Sequence, residues 1–175
     1  MRSLTDRENI EKFMRELGLA AREHSKIYLT GGSTAVLLGW RPSTVDVDMK
    51  MVPELDEIFR AIPRLKESLG INIELASPPD FIPPVPGWED RSIHIGRFGK
   101  IDFFHFDLYS QALSKIERGH AQDGPDVREM IDSGLVDPGK LKELFDAIES
   151  QLYRYPALDP VRFKYRVSEV VRLPG

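Results

Sequence analysis

Over residues 44–51 polar and apolar side chains alternate one for one, a period of two that predicts a strand with one buried face and a polar face carrying Asp46 and Asp48. Ahead of it, Leu4, Ile10, Phe13, Met14, Leu17 and Ala21 recur at helical spacing around Thr5 and Asp6, either of which can cap. Gly18 is expected to weaken or end that helix. The β-prone run 27–30 meets Gly31-Gly32, and Ser33 opens a second apolar stretch, 34–38, long enough for two helical turns. Strand, glycine turn and helix follow one another.

Pro53 can open the next helix, whose apolar face runs through Leu55, Ile58, Phe59, Ile62 and Leu65 to Gly70, with Pro63 expected to kink or split it. Residues 71–75 alternate again and set Asn72 and Glu74 on one face. Five prolines within 77–88 exclude a regular element and predict an ordered or lid-like loop. The β-pattern resumes in 93–95 and 100–105, with Gly96 and Gly99 bracketing a hairpin turn. From Leu108 the period is helical, with Asp107 as cap and Gly119 as stop. Pro125 and Pro138 mark two more helix starts, and helix is expected to about Tyr153. Beyond Pro156, Phe163 and Tyr165 alternate with Arg162, Lys164 and Arg166, which reads as a strand or arm. The pattern predicts a single α/β domain over 1–155, a sheet core over about 1–106, a helical part over about 107–155, and a tail over 156–175.

Composition narrows the function classes. The 175 residues include 24 basic and 28 acidic side chains, a net charge of −4, which argues against binding nucleic acid mainly by phosphate neutralisation and makes any such contact local. Apolar residues at 41% and charged residues at 30% suit a packed domain rather than a disordered chain. With no Cys there is no disulfide, thiolate nucleophile or Cys-ligated zinc, and with no long apolar run there is no predicted membrane span or signal peptide; the expectation is a cytoplasmic protein. The four His residues have no zinc-ligand spacing, and neither a phosphate-binding Gly-x-x-x-x-Gly-Lys loop nor a serine-hydrolase elbow occurs.

The chemistry concentrates where Gly31-Gly32-Ser33 is followed, fourteen residues after Gly32, by Asp46-Val47-Asp48. Two carboxylates at i and i+2 of a strand share a face, and a divalent cation of the oxygen-preferring kind, Mg²⁺ or Mn²⁺, relieves their repulsion. The glycine pair at a helix start lets backbone N–H groups approach a phosphate, with the Ser33 hydroxyl beside them.

In these residues the chain resembles the DNA polymerase β-like nucleotidyltransferases, in which an apolar-Gly-Gly/Ser turn precedes Asp-x-Asp; the resemblance is specific over about 27–51 and looser to about 126. The run from Arg41 to Asp48 is similar to that of small bacterial members, among them abortive-infection-type toxins and aminoglycoside nucleotidyltransferases. The resemblance implies a mixed β-sheet flanked by helices with a helical C-terminal part, and transfer of a nucleoside monophosphate from an NTP to an acceptor. It implies Asp46 and Asp48 as metal ligands and a third carboxylate from a neighbouring strand: Glu74 is the first candidate and Asp102 the runner-up. Gly31, Gly32 and Ser33 would hold phosphates. Lys115, Arg118, Asp123 and Asp126 resemble the Lys-containing helix and Lys-Asp-x-x-Asp motif of the toxin-like members, with Gln122 where those have Lys, and imply phosphate contacts by Lys115 and Arg118. RNA, a protein or a small molecule is the expected acceptor. The alternatives are a catalytically weak partner in a toxin–antitoxin-like pair, with a cognate antitoxin-like protein, and a scaffold whose acidic strand face is merely solvated.

Overall fold

In the computed structural model, which describes residues 3–173, the chain is an α/β protein with a mixed five-stranded sheet flanked by helices and a helical C-terminal part. Met1, Arg2, Pro174 and Gly175, the outer ends of the expected domain and tail, lie outside the described residues. The fold consists of two compact units, one of residues up to Ser77 with Ser92–Phe106, the other of Pro78–Arg91 and residues from Asp107 onward.

The first unit holds α1 (Arg7–Ala20), β1 (Ser25–Thr30), α2 (Gly32–Leu38), β2 (Asp46–Val52), α3 (Asp56–Leu69), β3 (Asn72–Glu74), β4 (Ile93–Phe98) and β5 (Ile101–His105). The strand order is β3-β2-β1-β5-β4. β1 runs antiparallel to β2 and parallel to β5, β2 is parallel to β3, and β4–β5 is an antiparallel hairpin. Parallel pairs need crossovers, and α3 supplies the one between β2 and β3.

Alternation decides which face is which. Ile27, Leu29, Val47, Met49, Met51, Ile73, Ile101 and Phe103 project to one face, where they pack with Ile10, Phe13, Met14 and Leu17 of α1 and Ile58, Ala61 and Leu65 of α3. The other face takes the polar residues of β2 and β3, and Lys26, Tyr28, Asp102 and Phe104 of β1 and β5. Asp6 caps α1, its side chain accepting the Asn9 amide at 3.0 Å.

Several elements differ from the sequence pattern, among them α3, which starts at Asp56 rather than at Pro53. α1 runs past Gly18 to Ala20, because this glycine serves close packing: a Cβ there would collide with the backbone of Phe98. α3 continues through Pro63, which is exposed, so the Phe59 carbonyl that loses its partner stands on the outer side of the helix. β4 runs through Gly96 to Phe98, with a register irregularity between His94 and Gly96, so Gly99 and Lys100 make the turn.

The second unit holds α4 (Trp88–Arg91), α5 (Leu108–Arg118), α6 (Asp123–Asp132), α7 (Pro138–Ile148) and α8 (Pro160–Arg172), with 3₁₀ turns at Pro78–Asp80 and Glu149–Arg154. The proline-rich segment is ordered, with Ile82, Pro83 and Val85 buried. α8 corrects the expected strand or arm. Asp159 caps it, accepting the Val161 and Arg162 amides at 3.1 Å, Pro160 occupies its first turn, and Phe163 and Val167, one helical turn apart, are buried. Phe163 packs edge-on against Phe145 of α7 at 5.0 Å. No described helix is long and apolar enough to cross a membrane.

Candidate functional site

The polar face of β2 and β3 carries the candidate carboxylates. Asp46 pairs in register with Asn72 and Asp48 with Glu74, while Thr30 at the end of β1 lies opposite Asp48 on the other side. Asp46, Asp48, Asn72 and Glu74 are all half-buried, whereas Val47, Met49 and Ile73 between them are buried. The three carboxylates therefore occupy two neighbouring strands, about 7 Å apart along a strand and about 5 Å across. Asn72 links two of them: its Nδ2 donates to Asp46 Oδ1 at 2.6 Å and to Glu74 Oε1 at 3.1 Å. The sequence set Asn72 beside Glu74 but offered no sign that one amide would join both acids.

The glycine turn adjoins this face. Gly31 has φ +69° and ψ −134°, a conformation only glycine adopts readily, and it delivers the chain from β1 into α2. A Cβ on Gly31 would stand 3.0 Å from Asp48 Oδ2, so the glycine and the carboxylate are in immediate proximity. A Cβ on Gly32 would run into the Thr44 hydroxyl, with Arg41 Nη1 3.5 Å away. Thr44 Oγ1 donates to the Asp46 carbonyl at 3.0 Å, which ties the turn to the start of β2. Ser33 is fully buried and its hydroxyl donates to the Thr30 carbonyl at 3.0 Å, so its side chain braces the turn. The amides of the first turn of α2 have no partner within the helix by the nature of a helix start.

Asp102 lies elsewhere. It pairs with Lys26, four residues along β1 from the Thr30 position opposite Asp48, a separation of about 13 Å along the strands and about 10 Å across them. Its Oδ1 is 3.0 Å from His94 Nε2. Among the described residues no three His, Asp or Glu side chains converge closely enough to hold a metal ion by themselves. The donors of β2 and β3 are nonetheless hard carboxylate oxygens, the kind that Mg²⁺ accepts when substrate phosphates and water complete its shell.

The same first unit buries a histidine at the base of the turn. His105 Nδ1 is 3.1 Å from Thr34 Oγ1, and burial, with a smaller contribution from the Arg7 charge, pushes its pKa down to about 4. The imidazole is thus neutral near pH 7.

Lys115 and Arg118 belong to α5 in the second unit. Lys115 is 6% exposed, and its Nζ donates to Asp126 Oδ2 at 2.8 Å and lies 3.7 Å from Asp123 Oδ1. Arg118 grips Asp123 with two bonds, of 2.9 and 2.6 Å, and the His120 amide adds a third at 3.1 Å. Burial pushes the Asp123 carboxyl up, but Arg118, Lys115 and the His120 amide outweigh it and hold its pKa below the ordinary value. The structure thus joins the four residues of the Lys-to-Asp run in one ion network, in which both cations are already matched by carboxylates of α6.

One residue that the strand period could have revealed is Lys50. It is half-buried on the same face as Asp46 and Asp48, opposite Tyr28.

The family that matches the chain is described as a nucleotidyltransferase of unknown function (DUF6036), and the match covers residues 8–172. No curated protein matches the chain, and no solved structure does.

Proposed function

Since the chain belongs to this nucleotidyltransferase family, we propose that it moves a nucleoside monophosphate from an NTP to an acceptor hydroxyl or phosphate on the polar face of β2 and β3. The observation that carries this reading is the meeting of the Gly31 turn with the Asp48 carboxylate, beside Asp46 and Glu74. A glycine turn at a helix start suits a phosphate, and clustered carboxylates suit the Mg²⁺ that accompanies it.

In this reading Asp46, Asp48 and Glu74 would hold Mg²⁺ or Mn²⁺ together with triphosphate oxygens. The metal, when bound, neutralises phosphate charge and lowers the pKa of an acceptor hydroxyl. Backbone amides at Gly32 and Ser33 would orient the β- and γ-phosphates, while buried Ser33 keeps the turn in shape. Asn72 positions Asp46 and Glu74 for this role. Glu74, at Asp48's side, would complete the acidic set and take the acceptor proton; Asp102 is too remote along the sheet to join it. A phosphate contact by Lys115 or Arg118 would have to compete with Asp126 and Asp123. Catalysis of this kind rests on positioning and charge neutralisation.

The test is incubation of the protein with each labelled NTP, Mg²⁺ and a total cell extract, followed by separation of RNA, protein and small-molecule fractions. Label in one fraction with the native protein, and none with Asp46→Asn/Asp48→Asn, is expected. Equal labelling by both proteins, or by neither, rejects the reading.

A further inference from the structure

The polar face of the sheet continues past the carboxylates, and its chemistry changes sign there. Lys50 follows Asp48 on β2, on the side away from the Gly31 turn. Tyr28 stands opposite Lys50, and Phe104 opposite Tyr28, so the three form a row across β2, β1 and β5. Tyr28 and Phe104 stack with centroids 5.2 Å apart. Tyr28 is 2% exposed, whereas Phe104 is half-buried, with His94 edge-on to its ring at 5.1 Å. Lys26, one strand period further on, is exposed and holds its ammonium 5.9 Å from the Phe104 centroid.

Neither ammonium group has a hydrogen bond or ion pair among the described residues. Asp102 is the register partner of Lys26, yet its carboxylate is turned to His94. Lys50 is half-buried, with Asp48 one strand period away on the same face and no ion pair at contact distance. The two ammonium groups stem from diagonal positions of the β1–β2 pair, roughly 7–8 Å apart at the backbone. That spacing is comparable with the distance between successive phosphates of an extended single strand.

We propose that Lys50, Phe104 and Lys26 form the acceptor track, and that the acceptor is the end of a single-stranded nucleic acid. This rests on the transfer reading. With the NTP phosphates at the Gly31–Gly32 turn, the attacking hydroxyl must come from the opposite side of Asp48, which is where Lys50 stands. Lys50 receives the phosphate nearest that hydroxyl, Phe104 stacks a base, and Lys26 receives the next phosphate. With a net charge of −4, any polyanion contact has to be a local one, and this row supplies two cations for it.

The experiment measures binding of a short, mixed-sequence, fluorescently labelled single-stranded RNA to the full chain over a salt series, with Mg²⁺·ATP thermal shift recorded on the same proteins. For Lys26→Gln/Lys50→Gln the slope of log affinity against log salt should fall by about 1.4, two contacts at about 0.7 each. Phe104→Leu should weaken RNA binding on the order of tenfold with the slope retained. The nucleotide-induced shift should persist in Lys26→Gln and Phe104→Leu. RNA affinity and slope unchanged in the double variant overturn the track, as does labelling of a protein in the extract with RNA left unlabelled. RNA bound through the row by a protein that labels nothing supports the track and counts against transfer.

Discussion

Asp48 of β2 and Glu74 of β3 are register partners on adjacent parallel strands, and the amide of Asn72 ties Glu74 to Asp46 on the same face. Side by side, these acids repel one another unless a cation lies between them. Mg²⁺ or Mn²⁺ should therefore raise the melting temperature, because a ligand that binds the native state alone stabilises it by mass action. In Asp46→Asn/Asp48→Asn that rise should vanish while the metal-free protein is as stable as before or more so. Calorimetry with and without EDTA checks both, and a full metal response in the variant would move the site elsewhere.

The register also ranks the third carboxylate. Glu74→Gln should lower nucleotidyl transfer by about 10²–10⁴-fold, the range for loss of a positioned proton acceptor, with circular dichroism unchanged. Asp102→Asn, at the Lys26 position, should stay within a few-fold of the native rate. The reverse ranking would assign the role to Asp102.

Gly31 accepts no side chain without cost. Its φ of +69° and the 3.0 Å approach to Asp48 Oδ2 mean that Gly31→Ala should lose about 1–3 kcal/mol of stability, read as a lower urea midpoint at constant slope. Transfer should fall further than stability, since the added methyl displaces the Asp48 carboxylate. A variant with native stability and native rate would refute the close approach.

Burial of His105 makes stability depend on pH in a defined direction. Its folded pKa of about 4 lies below the ordinary 6.5, so between these values the unfolded chain binds the extra proton. The contribution is whole above about pH 6.5 and is lost as pH falls towards 4, on the order of 3 kcal/mol in total. Urea unfolding across pH 4–7 should show this slope, and His105→Gln should flatten it. Identical profiles would mean that folding does not lower the proton affinity of the imidazole.

The ion network of α5 and α6 makes a further prediction. Asp126→Asn leaves the buried Lys115 ammonium without its 2.8 Å partner and should cost about 3–5 kcal/mol, whereas Lys115→Met/Asp126→Leu together should cost far less. A mild Asp126→Asn effect would show that Lys115 does not depend on the pair.

Much of this architecture is written in local periods. The alternation over 44–51 sufficed to place Asp46 and Asp48 on one face, because a strand's side chains alternate whatever lies beside it. Gly31-Gly32 between an apolar run and a helical one marked the turn, and Asp6 and Asp107 marked helix starts, because capping is satisfied within three residues. The segment 160–172 was harder: Phe163 and Tyr165 suggest a period of two, and only burial of Phe163 with Val167, against a Tyr165 that is 63% exposed, resolves it into a helix. Two aromatic residues are too few to separate the two periods. The sequence ranked Glu74 ahead of Asp102 as neighbour of Asp48, but only the pairing of the strands decides it. Both sit on short alternating strands, and what distinguishes them is that β3 pairs with β2 while Asp102 pairs with Lys26 on β1. Strand pairing joins residues distant along the chain through packing of the whole sheet, so it leaves no periodic mark on either strand. For the same reason Lys115 was legible as a cation on a helix, whereas its commitment to Asp126 arose only when α6 folded back against α5.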